Sequence, residues 1–545
     1  MALLDKYKSN LKGDILGGLT ASIVAIPTGL AFGIQSGLGA EAGLFTAIFL
    51  AIIASLIGGT QTLISDPTGP MTLVAAGIVA GAAPSSILLV FLLVGLFQVL
   101  FSFVGVAKYV KYIPYPVISG FMGGIGVIII SLQLLPLIGM SNPKDKSLTN
   151  IIDVLIENIK NIDTQNLAVG IGTIAVIYIL PRLTKKIPSI LFALLAAAAT
   201  TYLLDLDIAT VPKINTDLKI ADLSAFADFD MGQMGFVITS AITLAALGTI
   251  DTLLTSVVAD NITKTKHNGN RELLGQGLGN LVTSLFGGFP GAGSTSGTVI
   301  NARSGARTHL SGMSKGIFLL LIVLFLSDLI QYVPMAALAG ILFTVGVGVI
   351  DLKGIRLLLK VPKAEALVLI LTLMVTVFDD LLHAVALGAL LSTVFFMEKM
   401  SKVVEELNKK GALDEFSKKE KIPDGLADIV YVVKLDGPVF FGFADDFRSH
   451  LDSVKNTSAV VIDLKRVPFT DQTGLLTLEE SIKQFKSRGI EVFIVGANET
   501  IYKQLENFKI PGGLIPEDHF FPYFRACVKH LKHLYHDHIP DEKLS

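Results

Sequence analysis

The 545-residue chain has no tryptophan, a single cysteine (Cys527), and only 17 % charged residues. One cysteine cannot form a disulfide within the chain, which excludes a small extracellular fold held together by disulfides. The 44 lysines and arginines nearly balance the 46 aspartates and glutamates, so the charge gives no indication of nucleic-acid binding. Hydrophobic residues make up 51 % of the chain and the mean hydropathy is +0.64. These values exclude a wholly soluble enzyme and predict a polytopic membrane protein.

Long uncharged runs recur before residue 400. They occupy residues 87–104, 115–140, 167–180, 189–204, 232–250, 316–327 and 332–350, with shorter runs around 15–34, 43–57, 273–285 and 364–396. A helix that crosses a bilayer needs about 20 mostly apolar residues, so we expect roughly twelve to fourteen crossings or half-crossings. The last run has Asp379, Asp380 and His383 in its middle, and it therefore predicts two helices joined by an outside turn.

The distribution of cations predicts the orientation of these helices. One cluster of lysines, Lys6, Lys8 and Lys12, precedes the first run. Further clusters of lysine and arginine follow alternate runs, at Lys108, Lys111, Arg182, Lys185, Lys186, Lys264, Lys266, Arg271, Arg303, Arg307, Lys353, Arg356, Lys360 and Lys363. The intervening loops are acidic or mixed. Because cytoplasmic loops carry an excess of Lys and Arg, we expect a multi-pass protein of the plasma (inner) membrane with both termini in the cytoplasm.

Two segments interrupt the membrane pattern. Residues 65–71 and 287–298 are rich in Gly, Pro, Ser and Thr, and each joins an apolar run to a stretch that is compatible with a helix. Irregular backbone at membrane depth is tolerated only where protein covers it or where it lines a cavity. In many transporters such segments are half-helices whose N-termini point at an anion near the bilayer midplane. The alternative is that both are surface loops, but their matched positions favour a binding site.

Asp251 lies within an otherwise apolar helix. A carboxylate inside a membrane is costly and indicates a functional site. Thr255 is one helical turn further on, so both side chains share a face, and oxygen ligands of this kind suit a hard cation such as Na⁺. The carboxylate could instead carry a proton or bond to a neighbouring helix. Asp66, in the first irregular segment, could simply cap its half-helix.

The chain changes character after about residue 425. Residues 428–435, 458–464 and 491–496 are short strand-like runs, and residues 473–486 have apolar positions spaced as on one face of a helix. This alternation predicts a small α/β domain. We therefore expect a transmembrane domain over residues 1–400, a linker over 401–424 and a cytoplasmic domain over 425–545.

These motifs resemble the SulP-type anion transporters, whose fold is shared with the uracil permeases. The similarity covers essentially the whole chain and is carried by residues 13–20, 26–32, 66–70, 115–121, 251–260, 272–277 and 291–298. It is greatest to the sodium-dependent bicarbonate transporters of the family. The resemblance implies a polytopic α-helical membrane protein with about 14 segments in two inverted repeats of seven. It further implies a core domain that moves against a gate domain, and a homodimer.

The same resemblance implies the site residues. Asp251, Thr255, Gly293 and Thr295 match the positions that hold Na⁺, and Thr68, Gly69, Ser294 and Thr295 lie at the positions around the anion. Many anion-exchanging relatives have an arginine at the position of Gly297, and its absence favours cation-coupled symport. Asp66 stands where the bicarbonate transporters of the family have a glutamate. Because the aspartate side chain is shorter, a role that needs the longer glutamate side chain is not expected of Asp66.

The C-terminal segment 460–475 looks like the signature of a STAS domain, the fold of anti-sigma-factor antagonists, which in this family serves dimerisation or regulation. The residue that matches Thr473 is a phosphorylation site in soluble relatives, and phosphate would meet a helix N-terminus there. Asp471 or Thr473 could instead only cap the helix. His530, His533, His536 and His538 lie near the end of the chain, but without paired cysteines a structural zinc site is not expected.

The sequence therefore predicts a secondary active transporter of a small inorganic anion, with Na⁺-coupled bicarbonate symport favoured. The alternatives are a proton-coupled or exchanging carrier of sulfate or a dicarboxylate, and, from another class, an anion channel or a membrane sensor that signals through its STAS domain. No catalytic triad, Walker loop or cofactor motif is present in the sequence. We therefore expect no enzyme activity, no cofactor beyond Na⁺ as the coupling ion, and no nucleic-acid partner.

Overall fold

A computed structural model describes residues 10–110, 112–143, 147–184, 188–214, 220–221, 229–358, 360–379, 381–411, 426, 429–442, 444, 448 and 457–535. The chain divides into two compact units, Met1–Ser392 and Thr393–Ser545. Some residues used for the sequence predictions lie outside the described residues: Lys6, Lys8, Lys111, Lys185, Lys186, Asp380, His536 and His538.

The first unit is built from helices, with two very short strands among them. Its first half contains α1 (Leu11–Ser36), α2 (Ala40–Ile57, with a π-helical turn at Thr46–Leu50), β1 (Ser65–Asp66), α3 (Gly69–Gly81), α4 (Pro84–Val104), α5 (Ala107–Val110), α6 (Tyr115–Leu137), α7 (Leu148–Glu157), α8 (Thr164–Leu183) and α9 (Ser189–Leu203). The second half contains α10 (Met234–Thr263), α11 (Gly269–Leu285), β2 (Ala292–Gly293), α12 (Thr295–Arg303), α13 (Leu310–Ile330), α14 (Met335–Val349), α15 (Leu352–Leu357), α16 (Lys363–Phe378) and the start of α17 (Leu381–Gly411), whose residues from Thr393 onward belong to the second unit.

Fourteen of these helices, in the described residues, correspond to the expected membrane segments. Eight are long and apolar enough to cross a membrane by themselves, and α3, α9 and α14 are shorter apolar helices. Leaving aside the short or amphipathic α5, α7 and α15, seven segments precede residue 210 and seven follow residue 230. In each set of seven, the third member is a half-helix that follows a two-residue strand. The expected helical architecture is thus confirmed, including the pair of helices on either side of Asp379.

Close helix packing in the first unit depends on small residues. Helices α4 and α11 approach so closely that a Cβ atom on Gly277 would lie 2.6 Å from the carbonyl oxygen of Gly95, and the reverse is also true. In a membrane, where lipid tails are as apolar as side chains, such backbone approach is a main source of helix association. Helix α11 carries several buried polar residues that are described in the next section, and its contact with α4 fixes their position.

The second unit is a small α/β domain. Its described elements are β3 (Val430–Asp436), β4 (Ala459–Arg466), α18 (Gln472–Ser487), β5 (Glu491–Val495), α19 (Glu499–Asn507), β6 (Phe520–Phe521) and α20 (Phe524–Leu534). The strands form one parallel sheet in the order β3-β4-β5-β6. The predicted strands and helix are therefore confirmed. The predicted linker at 401–424 begins within α17, which continues to Gly411, because that stretch is helix-compatible and charged.

The only cysteine of the chain lies in the core of this second unit. Cys527 on α20 is fully buried, and it packs with Val461, Phe493 and Leu531. Burial raises the pKa of the Cys527 thiol to about 12, because a buried thiolate loses its hydration.

We expect a bulky side chain at Gly277 to force α4 and α11 apart. Gly277→Leu should lower the stability of the purified protein by about 1–3 kcal/mol, the usual effect of overpacking, measured by thermal unfolding in detergent. Gly172→Leu is the matched control, since Gly172 is exposed on α8 and a Cβ there would meet nothing within 4 Å. Equal losses in the two variants would contradict this account of the helix contact.

Cys527 should act as a reporter of unfolding. At pH 8 only about 10⁻⁴ of a thiol with this pKa is thiolate, so N-ethylmaleimide should label the native protein slowly and the urea-unfolded protein fast. Mass spectrometry measures the extent, and Cys527→Ser gives the background. Rapid, complete labelling of native protein would show that this core is open.

Candidate functional site

The two irregular segments meet in the first unit. Strands β1 and β2 pair in antiparallel register, with Ser65 opposite Gly293 and Asp66 opposite Ala292. Beside this ladder, the Ser294 amide donates to the Ile64 carbonyl at 2.7 Å. The paired strands satisfy each other's backbone groups, which is the condition for non-helical backbone at membrane depth. The half-helices α3 and α12 therefore both begin next to this pair of strands, β1 and β2, which we call the crossing.

The first turns of α3 and α12 leave backbone N–H groups unused by helix hydrogen bonds. Thr68 occupies the N-cap of α3 with extended backbone, and Pro70 lies in its first turn. Ser294 occupies the N-cap of α12 and accepts a hydrogen bond of 3.3 Å from the Gly297 amide. The alternative that Asp66 caps its half-helix is wrong, because Asp66 belongs to β1 and Thr68 stands at the cap.

Three of the predicted cation-binding residues are joined by direct hydrogen bonds. The Thr255 hydroxyl is 3.0 Å from the Gly293 carbonyl oxygen, to which it donates, and 2.8 Å from the Thr295 hydroxyl. Asp251, one turn before Thr255 on α10, is 7 % exposed, and its Oδ2 atom has no hydrogen-bond partner among the described residues. Helix α10 thus presents a carboxylate and a hydroxyl to the crossing, where carbonyl and hydroxyl oxygens are already gathered.

The predicted anion residues lie at the helix N-termini beside this cluster. The Thr68 hydroxyl lies within reach of the Asp251 carboxylate, although neither it nor Asp251 Oδ2 makes a hydrogen bond of ordinary geometry in the described structure. Gly69 packs against Ile129 so tightly that a Cβ there would lie 2.6 Å from its Cδ1. Ser294 is half-buried and Thr295 exposed. Polar atoms that can still accept a ligand therefore surround the crossing.

An apolar pocket opens onto Asp251. Its lining includes Pro70, Val117, Phe121, Leu247 and Val385, and Asp251 is the one polar residue among its described lining residues. A pocket with apolar walls and few convergent polar groups is typical of small-ligand sites. The same walls keep the dielectric around the carboxylate low, so that its charge acts strongly on whatever binds.

A buried asparagine fixes the second irregular segment. The Asn280 side-chain amide donates to the Gly291 carbonyl at 3.1 Å and accepts from the Gly291 amide at 2.9 Å, so it takes the place of a missing backbone partner. Asn280 also donates to Gln98 on α4 at 2.8 Å. Through these bonds, the packed helices α4 and α11 fix the position of Gly291, the residue just before β2.

A second polar chain fixes the first irregular segment. Glu272 accepts hydrogen bonds from the amides of Gly59 and Thr60 at 2.9 and 2.8 Å. Gln276, one turn later, donates to Glu272 at 3.2 Å and to the Ser65 hydroxyl at 2.6 Å. The buried polar groups of α11 thus support both strands of the crossing.

Sequence reasoning missed the buried lysine of this site. Lys315, on α13, is fully buried and its ammonium group donates to the Asp66 carboxylate and, at 2.6 Å, to the Ala47 carbonyl oxygen. Lys315 directly precedes the uncharged run at 316–327, and a lone cation beside an apolar run was the signal that could have found it.

Thr473 lies in the second unit and takes no part in this cluster. It is exposed in the first turn of α18. Asp471 is the N-cap of that helix, with its carboxylate accepting from the amides of Gly474 at 2.8 Å and Phe441 at 3.0 Å. Capping thus falls to Asp471, and the regulatory role of Thr473 stays a prediction.

Comparison with known proteins identifies the family. Residues 11–372 match the sulfate permease family, and residues 421–522 match the STAS domain. The chain belongs to the sulfate permease family. Family membership confirms the expected resemblance, the fold and the multi-pass membrane character. It also confirms that the chain is not an enzyme.

Individual relatives span nearly the whole chain. It is 38 % identical to the bicarbonate transporter BicA of Synechocystis, a match that covers 92 % of this chain and 91 % of the relative. It is 30 % identical to a putative sulfate transporter of Bacillus subtilis, covering 91 % of this chain and 97 % of the relative.

Solved structures match as well. The transmembrane domain of a cyanobacterial BicA is 42 % identical, with a TM-score of 0.64, over 69 % of this chain and 97 % of that one. The murine Solute Carrier 26 family member A9 anion transporter shares the fold at 16 % identity, with a TM-score of 0.82 over 98 % of this chain and 93 % of that one.

Replacing Asn280 should loosen the crossing. Asn280→Leu leaves the Gly291 amide and carbonyl without partners, and each buried unsatisfied group costs about 1–3 kcal/mol. We expect a clear loss of thermal stability in detergent, while Asn161→Leu, at an exposed asparagine, should unfold like the wild type. If Asn280→Leu were as stable as the wild type, the side chain would not be what holds Gly291.

Proposed function

We propose that this protein is a Na⁺-coupled symporter of bicarbonate that works by alternating access in the plasma membrane. Its family makes it a membrane transporter of small anions. The observation that carries the finer proposal is the unpartnered carboxylate oxygen of Asp251, one helical turn before Thr255, whose hydroxyl is bonded to Gly293 and Thr295.

The donor set at this place fits a hard monovalent cation. Asp251, Thr255, Gly293 and Thr295 offer a carboxylate, two hydroxyls and a backbone carbonyl, all oxygen ligands. A buried carboxylate without a partner is unfavourable, so a cation that binds there is strongly stabilised. Na⁺ is the coupling ion proposed for this site, in the role of cargo rather than of a resident cofactor.

The anion is proposed to bind at the N-termini of α3 and α12. Helix N-termini attract anions through their free N–H groups and the positive end of the helix dipole, and the hydroxyl groups of Thr68, Ser294 and Thr295 lie there. Bicarbonate is the proposed cargo because the relatives that match along 92 % of the chain carry that name.

Each ion favours the binding of the other, since Na⁺ removes the repulsion between Asp251 and the anion. A second cavity of about 250 Å³ supports alternating access. It is lined by Gln35, by Gln133 near the end of α6, and by Leu338 on α14. The pocket at Asp251 lies instead against Val117 and Phe121 near the start of α6, so the two cavities lie towards opposite ends of that helix.

The finer assignments of place and assembly belong to the same proposal. The cation-rich loops support a cytoplasmic location for both termini. The STAS match over residues 421–522 supports a cytoplasmic domain through which two copies of the chain form a homodimer.

A second candidate is proton-coupled transport or exchange of sulfate or a dicarboxylate. The 30 % identity to a putative sulfate transporter of Bacillus subtilis favours it. A carboxylate that takes up a proton would lose its charge just as one that binds Na⁺ does.

Uptake into proteoliposomes tests the proposal. Labelled bicarbonate, sulfate and fumarate are offered with a Na⁺ gradient, and again with choline in place of Na⁺. The wild type should accumulate bicarbonate only with Na⁺. Asp251→Asn should lower this uptake about tenfold to a hundredfold, as expected for loss of a charge-assisted contact, while the protein stays folded.

Asp328→Asn is the matched control, because Asp328 is three-quarters exposed and pairs with Lys213 at the surface. It should transport like the wild type. Undiminished Na⁺-driven uptake by Asp251→Asn would overturn the cation site. Uptake that a pH gradient drives equally well in choline would favour the second candidate.

A further inference from the structure

A buried ion pair lies directly behind the crossing and has no part in the mechanism proposed above. The side chains of Lys315 and Asp66 are 0 and 8 % exposed, and they contact each other. The Lys315 ammonium also donates to the Ala47 carbonyl at 2.6 Å, and lies 3.5 Å from the Ser65 carbonyl. Lys315 thereby connects α13 to both α2 and β1.

The carboxylate of this pair faces the anion end of α12. One oxygen of Asp66 accepts a hydrogen bond from the Lys315 ammonium group. The other is 3.2 Å from the place where a Cβ on Gly297 would be, in the first turn of α12. Asp66 is also two residues before Thr68, the N-cap of α3. The carboxylate therefore lies between a fixed cation and the two helix N-termini.

Among the described residues, Asp66 in β1, Lys315 and, beside Thr68, Asp251 bring ionisable side chains to this region, and their fixed charges affect what can bind there. Asp251 and Asp66 are acidic and Lys315 is basic, so together they carry a net charge of −1 when all are ionised. Glu272 lies further away, since it reaches Ser65 only through Gln276, and its charge is the same in all the variants compared below. A site with one surplus negative charge in a low dielectric repels an anion until a cation binds.

We propose that Asp66 determines the cation requirement of the transporter by cancelling the charge of Lys315. Without Asp66, the lysine would offset Asp251, and the anion site would be complete without Na⁺. With Asp66, only a co-bound cation removes the surplus negative charge. This inference rests on the proposed function, and within it Asp66 is a specificity-determining residue and Lys315 its positioning partner.

Anion affinity without Na⁺ is the direct test. Purified protein is titrated with bicarbonate, and separately with sulfate, in choline buffer, and binding is followed by the shift in unfolding temperature and by calorimetry. Asp66→Asn should bind the anion about tenfold more tightly than the wild type in choline, within the usual range of coupling between sites. The stimulation of binding by Na⁺ should fall by a similar factor.

Two further variants separate charge from structure. Asp66→Asn combined with Lys315→Met removes both charges and should restore the wild-type need for Na⁺. Asp14→Asn is the matched control, since Asp14 is a fully buried carboxylate whose partners include the amides of Arg307 and Thr308 and the Thr308 hydroxyl. It should leave the ratio of anion affinities with and without Na⁺ unchanged, whatever its effect on stability.

The outcomes distinguish this inference from the proposed function. If the wild type binds anion equally well with and without Na⁺, the proposed coupling fails. If the wild type needs Na⁺ and Asp66→Asn needs it equally, the ion pair is structural and this inference is overturned. Should Asp66→Asn fail to fold, the double variant decides: a folded double variant that no longer needs Na⁺ also overturns the inference.

Discussion

The pairing of two strands of two residues each is the constraint on which the rest of this structure depends. Lipid offers no hydrogen bonds, so a chain that leaves the helical conformation inside a membrane must find partners in itself. Ser65 and Asp66 pair with Gly293 and Ala292, which come much later in the sequence. Because the partners are shared, the helices that follow each strand must start at one point, and this convergence creates the site.

The polar residues around the crossing form one supporting system. Asn280 replaces a backbone partner for Gly291, Gln276 ties Ser65 to Glu272, and Thr298 accepts from the Ile64 amide. Buried polar networks are stable only when nearly every member is satisfied. The unpartnered atoms of Asp251 and Thr68 lie beside this system at the N-terminus of α3, where the ligands are proposed to bind.

The sequence predicted the local features of the site well. A carboxylate within an apolar helix indicated Asp251, helical spacing added Thr255, and the Gly- and Pro-rich breaks indicated the two half-helices, because each signal lies within one short segment. Contacts between residues of distant segments could not be predicted from the sequence. Asp66 looked like a cap for its own helix, whereas its partner is Lys315, 249 residues away. Likewise Asn280 lies in a polar stretch of α11 and gave no sign that it would hold Gly291.

That separation has a consequence for how the protein is made. Asp66 is synthesised long before Lys315, yet both end in the interior of one membrane unit. A buried aspartate without a nearby cation is unfavourable inside a membrane. Because Asp66 receives its cation, and β1 its partner strand, from the second half of the chain, the first half can reach the arrangement described here only after α13 has been made.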